Sequence, residues 1–522
     1  MATIRSWLQE CQSQAGRDHA AGRPTPFAPL RLVSVGLDGN PPRLVQRNGD
    51  EGPTEYATLS HCWGSALPLQ TMKATLDEFS SAIPMDVLPR TFADAIQMAR
   101  ELAIPYIWID ALCIVQDDPQ EWQSEAARMD RVYSGSQLTI SAAQSSNGSE
   151  GCFRSDMNGY EEGEMLFRTQ SDGVDHADLL VRVYAGDVRA SGTANNALSA
   201  RGWTLQEQLL SKRAVYCMQP EMHWYCSHHY GTESGLHFFR DQVDRNGLPL
   251  QLPYAPDQLL RTQLRTAPEY WKWKPIVENY SSRSFTFPRD RVAGIAGIIR
   301  YMTVQLGEES ILGLWKSSIA RDLCWMRLSR DLDPAFRSLA ESLPSWTWLA
   351  SQGRLAYDFW SWEALGNHGR KQVRHHTSLL EWNVQWDGVP YVSAVLSAYL
   401  RLEGCVRDIP IRPFAAGAAS NPPYFQVFDE DIQLGSDGSL QWRCSGQFDT
   451  GSPTEAATYP CLLLRSRAMH ENTGAYRFHE EFLILAPAFA SDDAKYRRIG
   501  LAKIHGESPV FDASKKIDIV LV

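Results

Sequence analysis

The run Y106-I-W-I-D-A-L-C-I-V115 carries one charged residue in ten. A strand this apolar has no solvent face, so the sheet that holds it needs cover on both sides, and the economical solution is a parallel sheet with helical crossovers. The flanking sequence supplies those parts. YATLSHCW reads as a strand, and L88-P-R-T-F-A-D-A-I-Q-M-A-R-E-L102 as a helix with Phe92, Ile96 and Ala99 at helical spacing, started by Thr91 or the Pro89 region. After YIWID, Asp117 or Asp118 can cap a helix whose first position is Pro119. Trp122, Ala126, Met129 and Tyr133 form its apolar stripe, Gly135 ends it, and QLTISAA is the next strand. Covering helices are therefore expected over 90–103 and 119–134. R201-G-W-T-L-Q-E-Q-L-L-S-K-R-A-V-Y216 reads as a helix leading into a further strand.

A chain of 522 residues exceeds one ordinary core. Residues 1–54, with GRPTPFAPL and DGNPPRL, read as a short helix and an extended lead-in on the surface. The α/β domain spans 55–225. Residues 226–350 read as a helical connector, clearest in WKWKPIVENYSSRSFTFPRDRVAGIAGIIRYM. From 351 to 522 the alternation in YLRLEGCVRDI, LQWRCSG, YPCLLLRSRA, EEFLILAP, YRRIGLAKI and IDIVLV predicts antiparallel strands, a small sandwich or barrel.

Composition narrows the function. A formal charge of −11 without a Lys/Arg run gives no affinity for phosphate backbones or anionic lipid, so nucleic acid is excluded as a first reading. The ten cysteines lack the paired short spacings of a zinc site, and no metal is expected. The N-terminus has no signal-like apolar core and no run reaches the roughly 20 residues that cross a bilayer, which together with reduced thiols predicts a cytoplasmic protein without a membrane span. No strand is followed by GxGxxG or a Walker loop, so no resident cofactor is expected.

Four polar clusters stand at strand ends, where open α/β sheets bind ligands. They are Ser60-His61-Cys62-Trp63-Gly64; Asp110 with Cys113; Gln116-Asp117 with Glu125; and Arg201, Trp203 and Glu207 within RGWTLQE. Glu125 borders the apolar stripe, so it is either a solvated surface carboxylate or a partly buried working acid. Asp110 either caps a turn or projects into the crevice. Cys113 is either a nucleophile or a buried inert thiol, and His61 cannot activate its neighbour Cys62 because adjacent strand residues point apart. Arg201 either neutralises a phosphate or pairs with Glu207. His228 and His229 read as surface neighbours.

YATLSHCWG, then LPRTFADAIQMARELAIPYIWIDALCIVQDDPQEWQSEAARMDRVYSGSQLTISAA, then RGWTLQEQLLSKRAVY resemble, in order and spacing, the three signature blocks of the fungal heterokaryon incompatibility (HET) domain. WKPIVENYSSRSFTFPRDRVAGIAG and PSWTWLA look like segments that follow it. The resemblance implies non-self recognition and regulated cell death, on a TIR-like, flavodoxin-like fold. Some TIR domains cleave NAD with a helix glutamate on the nicotinamide-side ribose, and Glu125 is the matching helix position here. On that basis Glu125 and Asp110 are the expected catalytic acids. Ser60, His61, Trp63, Gly64, Cys113, Arg201, Trp203 and Glu207 are expected to bind a nucleotide-like substrate such as NAD. Two other readings stand beside it: a non-catalytic signalling module acting through a protein partner or homo-oligomer, and a small-molecule enzyme of secondary metabolism.

Overall fold

The computed structural model describes the chain except residues 15–26, 38, 48–53, 65–68, 154–162, 172–173, 184–195, 219–220, 227–228, 234, 236, 240–272, 329–335, 337–338, 340, 358–372, 412–427, 434–440, 450–456, 471–475 and 490–493. The chain forms two compact units, Met1–Thr266 and Ala267–Val522.

The first unit is built on a nine-stranded sheet. Its strands are β1 (Arg31–Ser34), β2 (Arg43–Gln46), β3 (Tyr56–Ser60), β4 (Tyr106–Trp108) and β5 (Leu138–Ser141), then, beyond a separate hairpin of β6 (Gly163–Ser171) and β7 (Val174–Val183), β8 (Arg213–Tyr216), β9 (His223–Cys226), β10 (His229–Thr232) and β11 (His237–Phe239). The spatial order is β11-β10-β9-β8-β5-β3-β4-β1-β2. The four central strands β8-β5-β3-β4 are parallel, and antiparallel strands extend both edges. The expected parallel sheet is thus the centre of the structure, and YIWID lies inside it with Ile107, Trp108 and Ile109 fully buried.

Helix α1 (Ala2–Gln14) buries Ile4, Trp7, Leu8 and Cys11, an i, i+3, i+4, i+7 stripe, and Trp7 lies 6.0 Å from Trp224 of β9. The lead-in is therefore part of the core, with β1 and β2 completing a sheet edge, and not a surface wrap. A short helix α2 (Leu76–Ser81) precedes α3 (Arg90–Glu101), which buries Phe92, Ile96 and Ala99 as expected. A one-turn helix α4 (Asp110–Cys113) follows β4.

The helix expected over 119–134 is two, α5 (Pro119–Ala126) and α6 (Met129–Gly135). At the joint the Arg128 N–H turns to the Glu125 carbonyl three residues back, a tightened turn that interrupts the α ladder while the stripe of Ala126, Met129, Val132 and Tyr133 stays buried. Asp118 caps α5 by accepting from the Gln120 and Glu121 N–H groups. Helix α7 (Thr204–Leu210) lies on the crossover from β5 to β8.

In the second unit, helices Trp273–Ser281 and Asp290–Leu306 accompany a ten-stranded sheet, antiparallel apart from one short parallel pairing of 495–496 with 520–521. The expected strands are all present in this one sheet. The Trp273 and Trp348 indoles both donate to the Gly313 carbonyl, at 3.0 and 2.9 Å. Gly313 has φ +83°, and a Cβ there would lie 2.6 Å from Trp348 Nε1, so only glycine fits.

Candidate functional site

The chain leaves β3 toward β4 on one side and leaves β5 toward β8 on the other. This switch point marks the candidate crevice, because open α/β sheets take ligands outside the carboxyl ends of the strands there. The two strands share a Thr-x-Ser pattern in register: Thr58 opposite Thr139 and Ser60 opposite Ser141. One face thus carries a buried polar seam. Thr58 and Thr139 hydroxyls meet at 2.8 Å, Thr139 continues to Ser211 at 2.6 Å, and the enclosed Ser60 and Ser141 hydroxyls lie at its carboxyl end.

Past the end of β3, His61 is buried edge-on against Phe92, with Nδ1 3.7 Å from Asp110 Oδ1. Burial pushes its pKa down and nearby Arg201 adds to that, with Asp110 opposing, so the imidazole is neutral at neutral pH. Asp110 accepts from the Trp63 indole N–H at 2.9 Å through Oδ2, and from the Ala111 N–H at 2.7 Å through Oδ1. Its side chain stays 26% exposed, the most open acid of the group. Arg201 donates to the His61 carbonyl at 3.3 Å.

Glu207, on the first turns of α7, is 6% exposed and faces Ser60, Tyr133, Arg201 and Asp110. Burial, with a contribution from Asp110, raises its pKa to about 7 against the opposing effects of the Ser60 and Tyr133 hydroxyls and Arg201. Ser60 Oγ and Glu207 Oε2 are enclosed without a well-formed hydrogen bond, though the hydroxyl is close enough to favour the carboxylate. The result is an acid that exchanges its proton near neutrality, beside a fixed cation.

Residues 56–207 match the family model of the heterokaryon incompatibility protein (HET). Residues 56–207 are a HET domain. From Thr58 to Glu207 the polar groups of the crevice fall inside the matched span, and Ser211 of the seam lies just beyond it. Neither the curated proteins nor the solved structures gave a match. Among the described residues no helix is long and apolar enough to cross a membrane.

The remaining expected residues of the HET domain sit as follows. Cys113 is buried against the Ile109 N–H and the Ile107 carbonyl, and burial pushes its thiol up to about 12, the behaviour of a core cysteine. Cys62 is raised by burial, with Arg201 opposing. Gly64 has φ +77°, and a Cβ there would lie 2.5 Å from Asn147 Cβ, so glycine lets the two loops meet. Trp63 and Trp203 are partly buried against the core, and Trp203 packs edge-on against Trp122 at 6.1 Å. Gln116 donates to the Asp110 and Ile114 carbonyls, and Asp117 accepts from the Lys73 N–H. His228 and the His229 side chain lie outside the described residues.

Glu125 belongs to a different neighbourhood. Its charged neighbours are Arg128, 3.6 Å away, with Glu121 and Arg31, and burial raises its pKa. It is only 1% exposed, so the solvated-surface alternative is excluded, yet neither carboxylate oxygen has a hydrogen bond among the described residues. Arg31 is forked onto Glu121 and also donates to the Cys113 carbonyl. The sequence reading missed Tyr133, taken as part of an apolar stripe, and Ser141 with the Thr58–Thr139 pair. The Thr-x-Ser pattern repeated in YATLS and LTIS was the available signal.

Proposed function

We propose that this HET-domain protein acts in non-self recognition and regulated cell death, and that it binds a nucleotide-like substrate, NAD or a close relative, at the β3/β5 crevice. The reaction is hydrolysis: the bond from ribose C1′ to the nicotinamide nitrogen breaks, water adds at C1′, and a proton is released. The observation that carries this reading is Glu207, an enclosed acid titrating near neutrality next to Arg201 and Asp110. In this scheme Glu207 takes the proton from water and Arg201 neutralises a phosphate. Asp110, oriented by Trp63, stabilises the positive charge that develops on the ribose. Glu125 competes with Asp110 for that last role. Nicotinamide release by the purified protein tests the scheme, with Glu207→Gln, Asp110→Asn and Glu125→Gln as variants. A loss of turnover by orders of magnitude in one acid variant, at unchanged melting temperature, identifies the acid. Wild type that kills cells without consuming NAD overturns it.

A second reading, an assembly module without chemistry, is favoured by the enclosure of Ser60, His61 and Glu207. It predicts that Glu207→Gln alters self-association and leaves NAD untouched.

A further inference from the structure

Helix α1 meets strand β9 through two matched pairs of side chains. Trp7 and Cys11 lie four positions apart on one helix face, a rise of about 6 Å, and Trp224 and Cys226 lie two positions apart on one face of β9, a rise of about 6.7 Å. With Trp7 against Trp224 at 6.0 Å, Cys11 falls beside Cys226 one repeat further along. The two thiols are within hydrogen-bond reach, and that contact is the largest reason the Cys11 thiol is held far above its ordinary range, burial adding to it. Arg213 of β8 completes the cluster. It pairs directly opposite Cys226 across the β8–β9 ladder, so both side chains leave the same face of the sheet. Its Nε–H donates to Cys11 Sγ at 3.2 Å and Nη1 donates to the Gln137 carbonyl at 3.4 Å, which fixes the guanidinium beside the sulfurs. There it acts against the rise of the Cys11 pKa by favouring the thiolate.

Access separates the two cysteines. Cys11 is fully enclosed, whereas Cys226, the last residue of β9, is half-buried and meets solvent. A comparable contact joins Cys152 to Cys217, but both of those are buried.

We propose that Cys11 and Cys226 are a site of oxidative modification, closed by hydroperoxides into a disulfide that ties α1 to β9 and opened again by thiol reductants. The Cys226 thiolate attacks a peroxide oxygen, an S–O bond forms as the O–O bond breaks, and an alcohol, or water from hydrogen peroxide itself, leaves behind a sulfenic acid. Oxidation of Cys226 removes the largest of the effects that hold Cys11 protonated. The Cys11 sulfur then gives up its proton and displaces the sulfenic oxygen as water. In sum, two thiols lose two electrons to one hydroperoxide and become one disulfide. Arg213 serves both steps, since each needs a sulfur anion within its reach. The site does not depend on the chemistry of the β3/β5 crevice.

Peptide mapping by mass spectrometry of the full chain, treated with hydrogen peroxide and then alkylated, tests the assignment. Wild type should lose two of its ten thiols and yield a linked Cys11–Cys226 peptide that dithiothreitol abolishes. Cys11→Ala should stop at a Cys226 sulfenic acid, trapped by dimedone, and Cys226→Ala should leave Cys11 reduced. Arg213→Gln should slow the loss of thiols several-fold. Cys152 and Cys217 should stay reduced while the chain is folded. Should the enclosed position not tolerate Cys11→Ala, the half-buried Cys226→Ala and the wild-type peptide map answer the question. Cys11 and Cys226 both staying reduced under excess peroxide overturns the proposal. So does a first disulfide formed by any other pair or between two copies of the chain, and so does oxidation of Cys11 at the wild-type rate in Cys226→Ala.

Discussion

Trp63 donates its indole N–H to Asp110 across 2.9 Å, linking the loop after β3 to the first turn after β4. The two strands are parallel neighbours, so this bond ties their carboxyl ends together beside the candidate crevice. The Ala111 N–H holds the other Asp110 oxygen, so the carboxylate has a fixed orientation while part of it still meets solvent.

That bond predicts a measurable coupling. Trp63→Phe and Asp110→Asn should each destabilise the protein by about 1 kcal/mol, and the double variant by less than their sum, because the second change removes nothing already absent. A denaturant double-mutant cycle measures it. Strict additivity would show that the indole and the carboxylate act independently.

Glu207 gives the first unit a pH signature. Its folded pKa of about 7 lies above the ordinary glutamate value of 4.5, so between these values the folded state binds the extra proton and stability falls as pH rises. The penalty begins above about pH 4.5, grows through pH 7 and then stays constant at about 3 kcal/mol. Glu207→Gln lacks it. The variant should match wild type near pH 4.5 and melt at a higher temperature at pH 8, and calorimetry at the two pH values reads the difference. Asp322 of the second unit also titrates at about 7, so the comparison with the variant, and not the wild-type profile alone, isolates Glu207.

Ala103 closes α3 in the left-handed region, with φ +59°, while the Ile104 N–H reaches back to the Ala99 carbonyl. This position usually holds glycine, since a Cβ there costs roughly 1 kcal/mol or more. Ala103 is exposed, so its methyl contributes little packing in return. Ala103→Gly should therefore raise stability by about 0.5–1 kcal/mol, read from the midpoint of denaturant unfolding.

The central sheet was legible because its strands announce themselves locally: YIWID through an unbroken apolar run, YATLS and LTIS through short buried segments between turn residues. RGWTLQE was legible as a cluster for the same reason, its Arg and Glu lying six positions apart. The meeting of Glu207 with Tyr133 and Ser60 was not, because it depends on α6 and α7 covering the same two strands, and pairing over such distances leaves no local trace. Likewise β1 and β2 sit in a Pro- and Gly-rich stretch whose composition reads as loop, and only their pairing to β4 and to each other makes them strands.

Glu125 separates stability from chemistry most sharply. Its carboxylate is enclosed, and among the described residues it lacks a hydrogen bond and has Arg128, at 3.6 Å, as its ion-pair partner. Burial raises its pKa, so the ionised form is the one the fold disfavours, and the cost grows as pH rises above the ordinary carboxylate range. Glu125→Gln keeps the shape and removes the charge. It should raise the melting temperature at pH 8, by an amount equivalent to about 1–3 kcal/mol, and have less effect at pH 5. Scanning calorimetry at both pH values measures this. If Glu125 is the acid that meets the ribose, the same variant should also lose NAD turnover and cell toxicity. Stabilisation with full toxicity would assign that role to Asp110, and destabilisation at pH 8 would mean that Arg128 holds the charge more firmly than a 3.6 Å contact implies.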